Sequence, residues 1–330
     1  MKNRHANIPI FVPHIGCPNM CSFCNQRYIT GKYTAPGTED IIEAVNTAVM
    51  SPKYSTQDTE IAFFGGSFTA INRNYMVELL KTAHVFIANG TVSGIRISTR
   101  PDAIDDEILS LLKQYGVTSI ELGAQSLNDD VLRLNNRGHT ANDVEKASLL
   151  IKEHGFCLGL QMMTGLYGDM DEYAIDTAKK IIDIAPDTVR IYPTIVLKNT
   201  DLAALHSDNR YKPQTLDEAV NLCTELLTIF NEANIKVIRL GLHTIEKDSY
   251  VAGPWHPAFS ELCYSKLYYK NALKQLDECG EYFIFVNSSG VSKMIGQHKE
   301  NILTLKKLGY DCIVKTDDTL VGDSIRVERR

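Results

Sequence analysis

Short apolar runs alternate with longer amphipathic stretches over residues 8–240. The runs at 8–12, 61–64, 94–98, 117–122, 156–161 and 188–192 read as strands. A helix is predicted from Thr38, a capping residue followed by the acids Glu39 and Asp40 and then by Ile41, Ile42, Val45 and Val49 at helical spacing. Further helices are predicted over 74–87, 102–114, 141–153 and 170–184. Strands that are mostly continuous in apolar character, each followed by a helix or loop, predict an α/β fold with a parallel sheet covered by helices. Periodicity leaves an open doubly wound sheet and a partial barrel as equal readings.

A polar, irregular stretch at 198–213 leads to a long helix at 216–233, a strand at 236–240, a loop with the only tryptophan, Trp255, and a helix at 259–276. From about Glu281 the alternation stops, and a strand at 282–286 is followed by two short helices and two terminal strands. The expected organisation is a large α/β unit at 1–240, a connecting loop and helix at 241–280, and a small α+β segment at 281–330.

With 330 residues, 44% of them hydrophobic, the chain can bury a sizeable core. It has no 18-residue apolar stretch and no apolar leader at its start, which predicts a cytoplasmic protein without a membrane partner. A net charge of -6 argues against a protein that coats nucleic acid non-specifically and leaves room for a local basic site. Cys157, Cys223, Cys263, Cys279 and Cys312 are scattered singly, as reduced packing thiols are.

The other three cysteines, Cys17, Cys21 and Cys24, form a Cys-x3-Cys-x2-Cys triplet on the loop after the first predicted strand. That places them at a strand's C-terminal end, where β/α barrels carry their active sites. Three thiolates so close together can hold three irons of a 4Fe-4S cubane and leave the fourth iron open. Zinc is the main metal alternative, but a structural zinc site takes four protein ligands, and only His14 or distant residues are available for the fourth. Plain packing of three cysteines is the remaining reading.

The triplet, with Phe23 just before its third cysteine, resembles the radical S-adenosylmethionine (SAM) superfamily. In that family the open iron binds the amino and carboxyl groups of SAM, and an electron from the cluster splits it to a 5′-deoxyadenosyl radical. The resemblance implies a partial (β/α)6 TIM-type barrel, a 4Fe-4S cluster, S-adenosyl-L-methionine, and an electron donor such as flavodoxin or ferredoxin.

Residues at the other predicted strand ends fit this resemblance. Gly65-Gly66-Ser67 would let a ligand approach the backbone closely. It is similar to the motif whose backbone carbonyls bind the SAM amino group, with Ser67 where relatives often carry Glu. A zwitterionic cofactor with a ribose needs a cation for its carboxylate and neutral polar groups for its hydroxyls, and Arg137 and Gln125 are of those types. The alternatives are a turn cap for Gln125 and a solvated helix-end charge for Arg137. By similarity to oxygen-independent coproporphyrinogen oxidases, Ser98 and Gln161 would face the ribose, and Gln125 and Arg137 the carboxylate.

Cys-x-Phe-Cys-Asn-Gln, Gly-Gly-Ser-Phe, Thr-Arg-Pro-Asp, Glu-Leu-Gly-Ala-Gln-Ser, Arg-Gly-His and Tyr-Pro-Thr, spread over residues 8–240, together resemble the radical SAM domain of the catalytic subunit of Elongator and its bacterial relatives. That enzyme modifies the wobble uridine of tRNA with acetyl-CoA bound by an acetyltransferase domain. The sequence ends at Arg330, so the expectation is a relative lacking that domain, with the group transferred left open.

Gly296-Gln297-His298-Lys299 resembles the Gly-x-x-Gly loop of a KH domain, with Lys299 in place of the second glycine. Such a loop clamps a single-stranded backbone. RNA, most directly tRNA, is therefore the expected partner, with Arg239, His243, Trp255 and His256 as candidates to line its route. A packing hairpin is the plain reading of the loop. The competing functions are a radical SAM enzyme acting on a small molecule such as a tetrapyrrole, and a non-catalytic RNA-binding redox sensor. The sensor would need no ribose or carboxylate pocket.

Overall fold

The structure is a computed structural model that describes residues 5–12, 17, 20–25, 34–242, 245 and 247–330. His14 and His243 lie outside the described residues. Six strands, β1 (Ala6–Val12), β2 (Thr59–Gly65), β3 (Gly94–Thr99), β4 (Val117–Gln125), β5 (Cys157–Thr164) and β6 (Thr188–Pro193), lie side by side in chain order, every pair parallel. After the short β7 (Val196–Leu197), strand β8 (Lys236–Leu240) joins β6 and makes the curled half-barrel sheet seven-stranded.

Helices α1 (Thr38–Val49), α2 (Arg73–Ala88), α3 (Asp106–Gln114), α4 (Asp129–Leu134), α5 (Ala141–Glu153), α6 (Asp171–Ile184), α7 (Asp201–Ser207) and α8 (Leu216–Glu232) fill the connections. The apolar stripes of α1, α2, α3, α5, α6 and α8 cover one face of the sheet. Ile61, Phe63, Ile95, Ile97, Ile120, Leu122, Leu158, Leu160, Val189 and Ile191 meet them there in a single core. Each such side chain contributes about 1.5–3 kcal/mol by leaving water.

The strands were expected to be almost continuously apolar, and they are not. Successive side chains point to opposite faces, and the concave face carries Glu60, Arg96, Glu121, Gln161 and Arg190. These groups are buried or half-buried and satisfy one another. Arg96 donates through Nε to Glu60 Oε2 at 2.9 Å and through Nη1 to Glu121 Oε1 at 3.1 Å. Arg190 Nη2 donates to Glu121 Oε1 at 2.7 Å, and Gln161 Nε2 to Glu121 Oε2 at 2.8 Å. A half-barrel is open on one side, so its lumen can be polar provided each charge finds a partner.

Other differences have local causes. The helix expected from residue 102 starts at Asp106, because Pro101–Ala103 forms a 3-10 turn and Asp105 then caps the helix, accepting from Ile108 N at 2.8 Å. The irregular stretch at 198–213 contains α7, capped by Thr200, and α4 is capped by Asn128. Both helices are too short to show a periodicity.

Beyond the half-barrel, β7 pairs with β9 (Tyr250–Ala252). Helix α9 (Phe259–Leu273) then leads to β10 (Gly280–Val286), α10 (Val291–Ile295), α11 (Glu300–Lys307), β11 (Tyr310–Thr316) and β12 (Arg326–Arg329). The three strands form a separate sheet in the order β11-β10-β12, over a second core that includes Tyr268, Ile284, Val286, Met294 and Leu305.

Glu60 gives the network a signature in acid. Burial alone would raise its pKa, but the hydrogen bond with His5, the charge of Arg96 and the bond from Thr118 overcome that and bring it down to about 2. A carboxyl depressed in the folded state contributes stability above its unfolded pKa near 4.5 and loses it as pH falls toward 2, an effect worth roughly 3 kcal/mol. Urea unfolding measured from pH 7 down to pH 2 is expected to show this loss, and Glu60→Gln to be less stable at pH 7 with a flatter acid limb. An acid limb identical in the two proteins contradicts the assignment.

Candidate functional site

All six longer strands of the half-barrel up to β6 end on the side where the cysteine loop leaves β1. Cys17, Cys21 and Cys24 are half-buried there, and Cys24 N donates to Cys21 O at 3.1 Å. Phe23, between the last two, packs beside Val196, Leu202 and Tyr211. Among the described residues, no three His, Cys, Asp or Glu side chains close on one point where a single metal ion would sit.

Two buried guanidinium groups stand behind the loop. Arg137 donates through Nη1 to Cys21 Sγ at 3.0 Å and through Nη2 to Gly123 O at 2.6 Å. Arg100 is held by both oxygens of Asp102, at 2.6 and 2.8 Å, and donates through Nη2 to Arg137 O at 2.9 Å. Burial pulls Arg100 toward neutrality, but the bond and charge of Asp102 and the thiols of Cys21 and Cys17 outweigh it and raise its pKa. His139, next to Arg137 in the chain, is lowered to about 4 by burial and then by the Arg137 charge, and is neutral at pH 7.

The glycine pair at the end of β2 is fixed by its neighbour strand. Gly65 has φ +107°, and a Cβ there would lie 2.9 Å from Val12 O. Gly66 N donates to that same carbonyl at 2.7 Å. Ser67 is buried, and its Oγ contacts Thr99 Oγ1 at 2.9 Å and accepts from Arg100 N at 3.1 Å. Its hydroxyl therefore ties β2 to β3.

A cavity of about 220 Å3 opens between these strand ends. Its lining includes Phe23, Cys24, Gly65, Ser98, Gln125 and Gln161, all expected from sequence to face the cofactor. Gly66, Ser67, Arg137, Cys17 and Cys21 are not among its lining residues. Arg190, Tyr192, Met163, Leu242 and Ile245 also line it. Gln125 adopts φ +65°, a left-handed conformation costly for a side chain of its size, so the local fold forces it. A Cβ on Gly123 would lie 2.9 Å from Gln125 Nε2 and 3.3 Å from Arg137 Nη2, so both side chains occupy the space that this glycine vacates. Gln125 Oε1 and Arg137 Nε are buried without a hydrogen-bond partner. An unmatched acceptor and an unmatched cationic donor on adjacent side chains suit a ligand that offers a donor and an anion.

Sequence reasoning quoted Arg100, Glu121, Arg190 and Tyr192 only as parts of strand-end motifs and gave them no role, and it passed over Asn135. Their partners lie on other strands and turns, which spacing along the chain does not show. Arg239, Trp255 and His256 do not line the cavity. Arg239 Nε donates to Gly241 O at 3.0 Å, Trp255 packs against Tyr250, and His256 Nδ1 accepts from Ala258 N at 3.1 Å. The Gly296–Lys299 loop joins α10 to α11 in the terminal unit, with Gln297, His298 and Lys299 exposed. Lys299 takes φ +65°, the left-handed conformation that a glycine ordinarily supplies.

Comparison with known proteins agrees with this geometry. Residues 11–181 match the Radical SAM superfamily, and residues 186–269 the Radical_SAM C-terminal domain. The chain is 25% identical over 240 residues to the tRNA uridine(34) acetyltransferase of Dehalococcoides mccartyi, covering 62% of this chain and 52% of that one. It is 28% identical over 256 residues to human Elongator complex protein 3, covering 66% of this chain and 47% of that one. The chain thus spans about half the length of the curated relatives it matches. Among solved structures, the archaeal Methanocaldococcus infernus Elp3 with an N-terminal deletion shares the fold at a TM-score of 0.65 and 23% identity, over 85% of this chain and 66% of that one. With its cysteine loop and strand ends set around one cavity, and with more than half of its length matched, the chain belongs to the Radical SAM superfamily of enzymes.

Proposed function

We infer that this enzyme holds one 4Fe-4S cluster on Cys17, Cys21 and Cys24, binds SAM on the cluster's open iron, and acts on an RNA, most directly a tRNA. The observation that carries the cofactor reading is the pair of orphaned polar atoms, Gln125 Oε1 and Arg137 Nε, beside the cysteine loop. A cubane spreads its ligands over separate irons, so the three sulfurs need not meet at one point as they would for zinc. The anionic thiolates suit a loop backed by Arg100 and Arg137.

When bound, the cluster supplies an electron and SAM a 5′-deoxyadenosyl radical. The chain's own part is to bind, orient and exclude water. Arg137 offers its guanidinium to the SAM carboxylate, and Gln125 Oε1 accepts from the amino group or an adjacent donor. Gly65 and Gly66 let the ligand reach backbone carbonyls. Ser98 and Gln161, linked at 3.4 Å, present hydroxyl and amide to a ribose. Phe23 and Met163 shield the radical site from solvent.

The RNA reading is supported by the relatives named tRNA uridine(34) acetyltransferase, and by the Gly296–Lys299 loop with its left-handed residues. In this reading residues 1–240 carry the chemistry, 241–280 connect, and the KH-like 281–330 segment presents a splayed strand. A base inside a stacked duplex cannot reach a radical at the strand ends.

Anaerobic reconstitution is expected to load about four irons per chain, with an electron paramagnetic resonance signal that Cys24→Ala abolishes. Stoichiometric zinc without that signal overturns the cluster. Arg137→Ala is expected to weaken SAM binding by about tenfold to a hundredfold, the worth of a charged hydrogen bond, as read by calorimetry on the reconstituted protein. Unchanged affinity removes Arg137 from the SAM site. Mass spectrometry of tRNA nucleosides from cells with and without the protein is expected to show a lost modification, and Lys299→Glu to weaken tRNA binding. An unchanged nucleoside profile together with unchanged binding leaves SAM chemistry on a small molecule.

A further inference from the structure

We propose that Asn135, at the C-terminal end of α4, is the positioning residue of the cysteine loop and fixes the loop's middle before any cofactor is present. This rests on the cluster reading above. Asn135 is fully buried, and every hydrogen-bonding group of its side chain is used. Its Oδ1 accepts from Ser22 Oγ at 2.7 Å and from Tyr167 N at 3.3 Å, and its Nδ2 donates to Val131 O at 2.8 Å and to Tyr167 O at 2.9 Å. Its backbone carbonyl accepts from Ser22 N at 3.1 Å.

Ser22 lies between Cys21 and Cys24, so both sides of this contact matter. Ser22 N and Oγ donate to Asn135, and Ser22 O accepts from Leu202 N at 2.8 Å at the start of α7. All polar groups of Ser22 are thus engaged, and it is buried. A loop that carried three thiols on unpartnered backbone would lose conformational entropy on binding iron. Here the loop is tied at its centre to α4, to the β5–α6 loop through Tyr167, and to α7. Two residues after Asn135, Arg137 meets Cys21 Sγ, so one turn of chain sets both the loop's backbone and the cation against its sulfur. Only a carboxamide offers two acceptor and two donor positions in one plane, so Asp or Leu of similar size cannot replace it.

Hydrogen–deuterium exchange on the cluster-free protein tests this without reference to activity. Asn135→Ala is expected to speed exchange of the Ser22 amide about tenfold or more and, after reconstitution, to shorten the lifetime of the cluster under chelator. Asn301→Ala is the control, because Asn301 is an equally connected asparagine in the terminal unit, donating to Ser265, Lys293 and Met294. It is expected to lower Tm with no change at Ser22 or in cluster lifetime. Ser22→Ala, which removes only the bond from Ser22 Oγ where Asn135→Ala removes all four side-chain bonds, is expected to move both readouts in the same direction by a smaller factor, and it serves if Asn135→Ala does not fold. Unchanged Ser22 exchange in both loop variants, or equal cluster loss in Asn135→Ala and Asn301→Ala, overturns the proposal. A wild-type protein that takes up no iron overturns the cluster reading instead, and the exchange measurement still decides the role of Asn135.

Discussion

The half-barrel depends on one carboxylate. Glu121 lies at the middle of the central strand β4, almost without exposure, and is shared by Arg96 on one side and Arg190 on the other. Removing Glu121 takes from Arg190 its carboxylate partner and leaves a buried charge unmatched, at a cost of about 3–5 kcal/mol. A one-residue slip of β4 would turn Glu121 toward the helices and Ile120 or Leu122 toward the lumen. The charge chain therefore fixes register across β2 to β6, and the same register delivers Ser98, Gln125 and Gln161 to the cavity. Stability of the lumen and geometry of the site are one constraint.

Much of the fold was legible because its convex face obeys simple rules. Ile61, Ile97, Leu122 and Leu160 sit in short apolar runs separated by capped helices, and that alternation admits few topologies. The choice between an open sheet and a half-barrel was not legible from periodicity, since closure depends on strand tilt and on the polar lumen. Cys17, Cys21, Cys24, Gly65 and Gln125 were legible by spacing and strand-end position. Asn135 and Arg100 were not, because a polar residue in a turn reads as solvated until the chain folds a second segment over it. Asn135 becomes a core residue only when Ser22, more than a hundred positions earlier, docks on it.

Electrostatics gives the site its sign. Among the described residues, Arg100 and Arg137 stand together with only Asp102 as a fixed carboxylate partner. Two buried cations against one anion leave a local surplus of positive charge directed at the cysteine loop. Buried charge of this kind is sustained only where an anion completes it. His139, held neutral, adds a donor to Ala124 O without adding to the surplus.

Helix α9 has a consequence for how the molecule unfolds. Its first turns place Phe259, Cys263 and Leu267 in the half-barrel core, and the next residues place Tyr268 and Ala272 in the core of the terminal sheet. One rigid rod thus belongs to both hydrophobic interiors, so fraying it exposes apolar surface on two fronts at once. The terminal sheet and the half-barrel should therefore melt in a single cooperative transition.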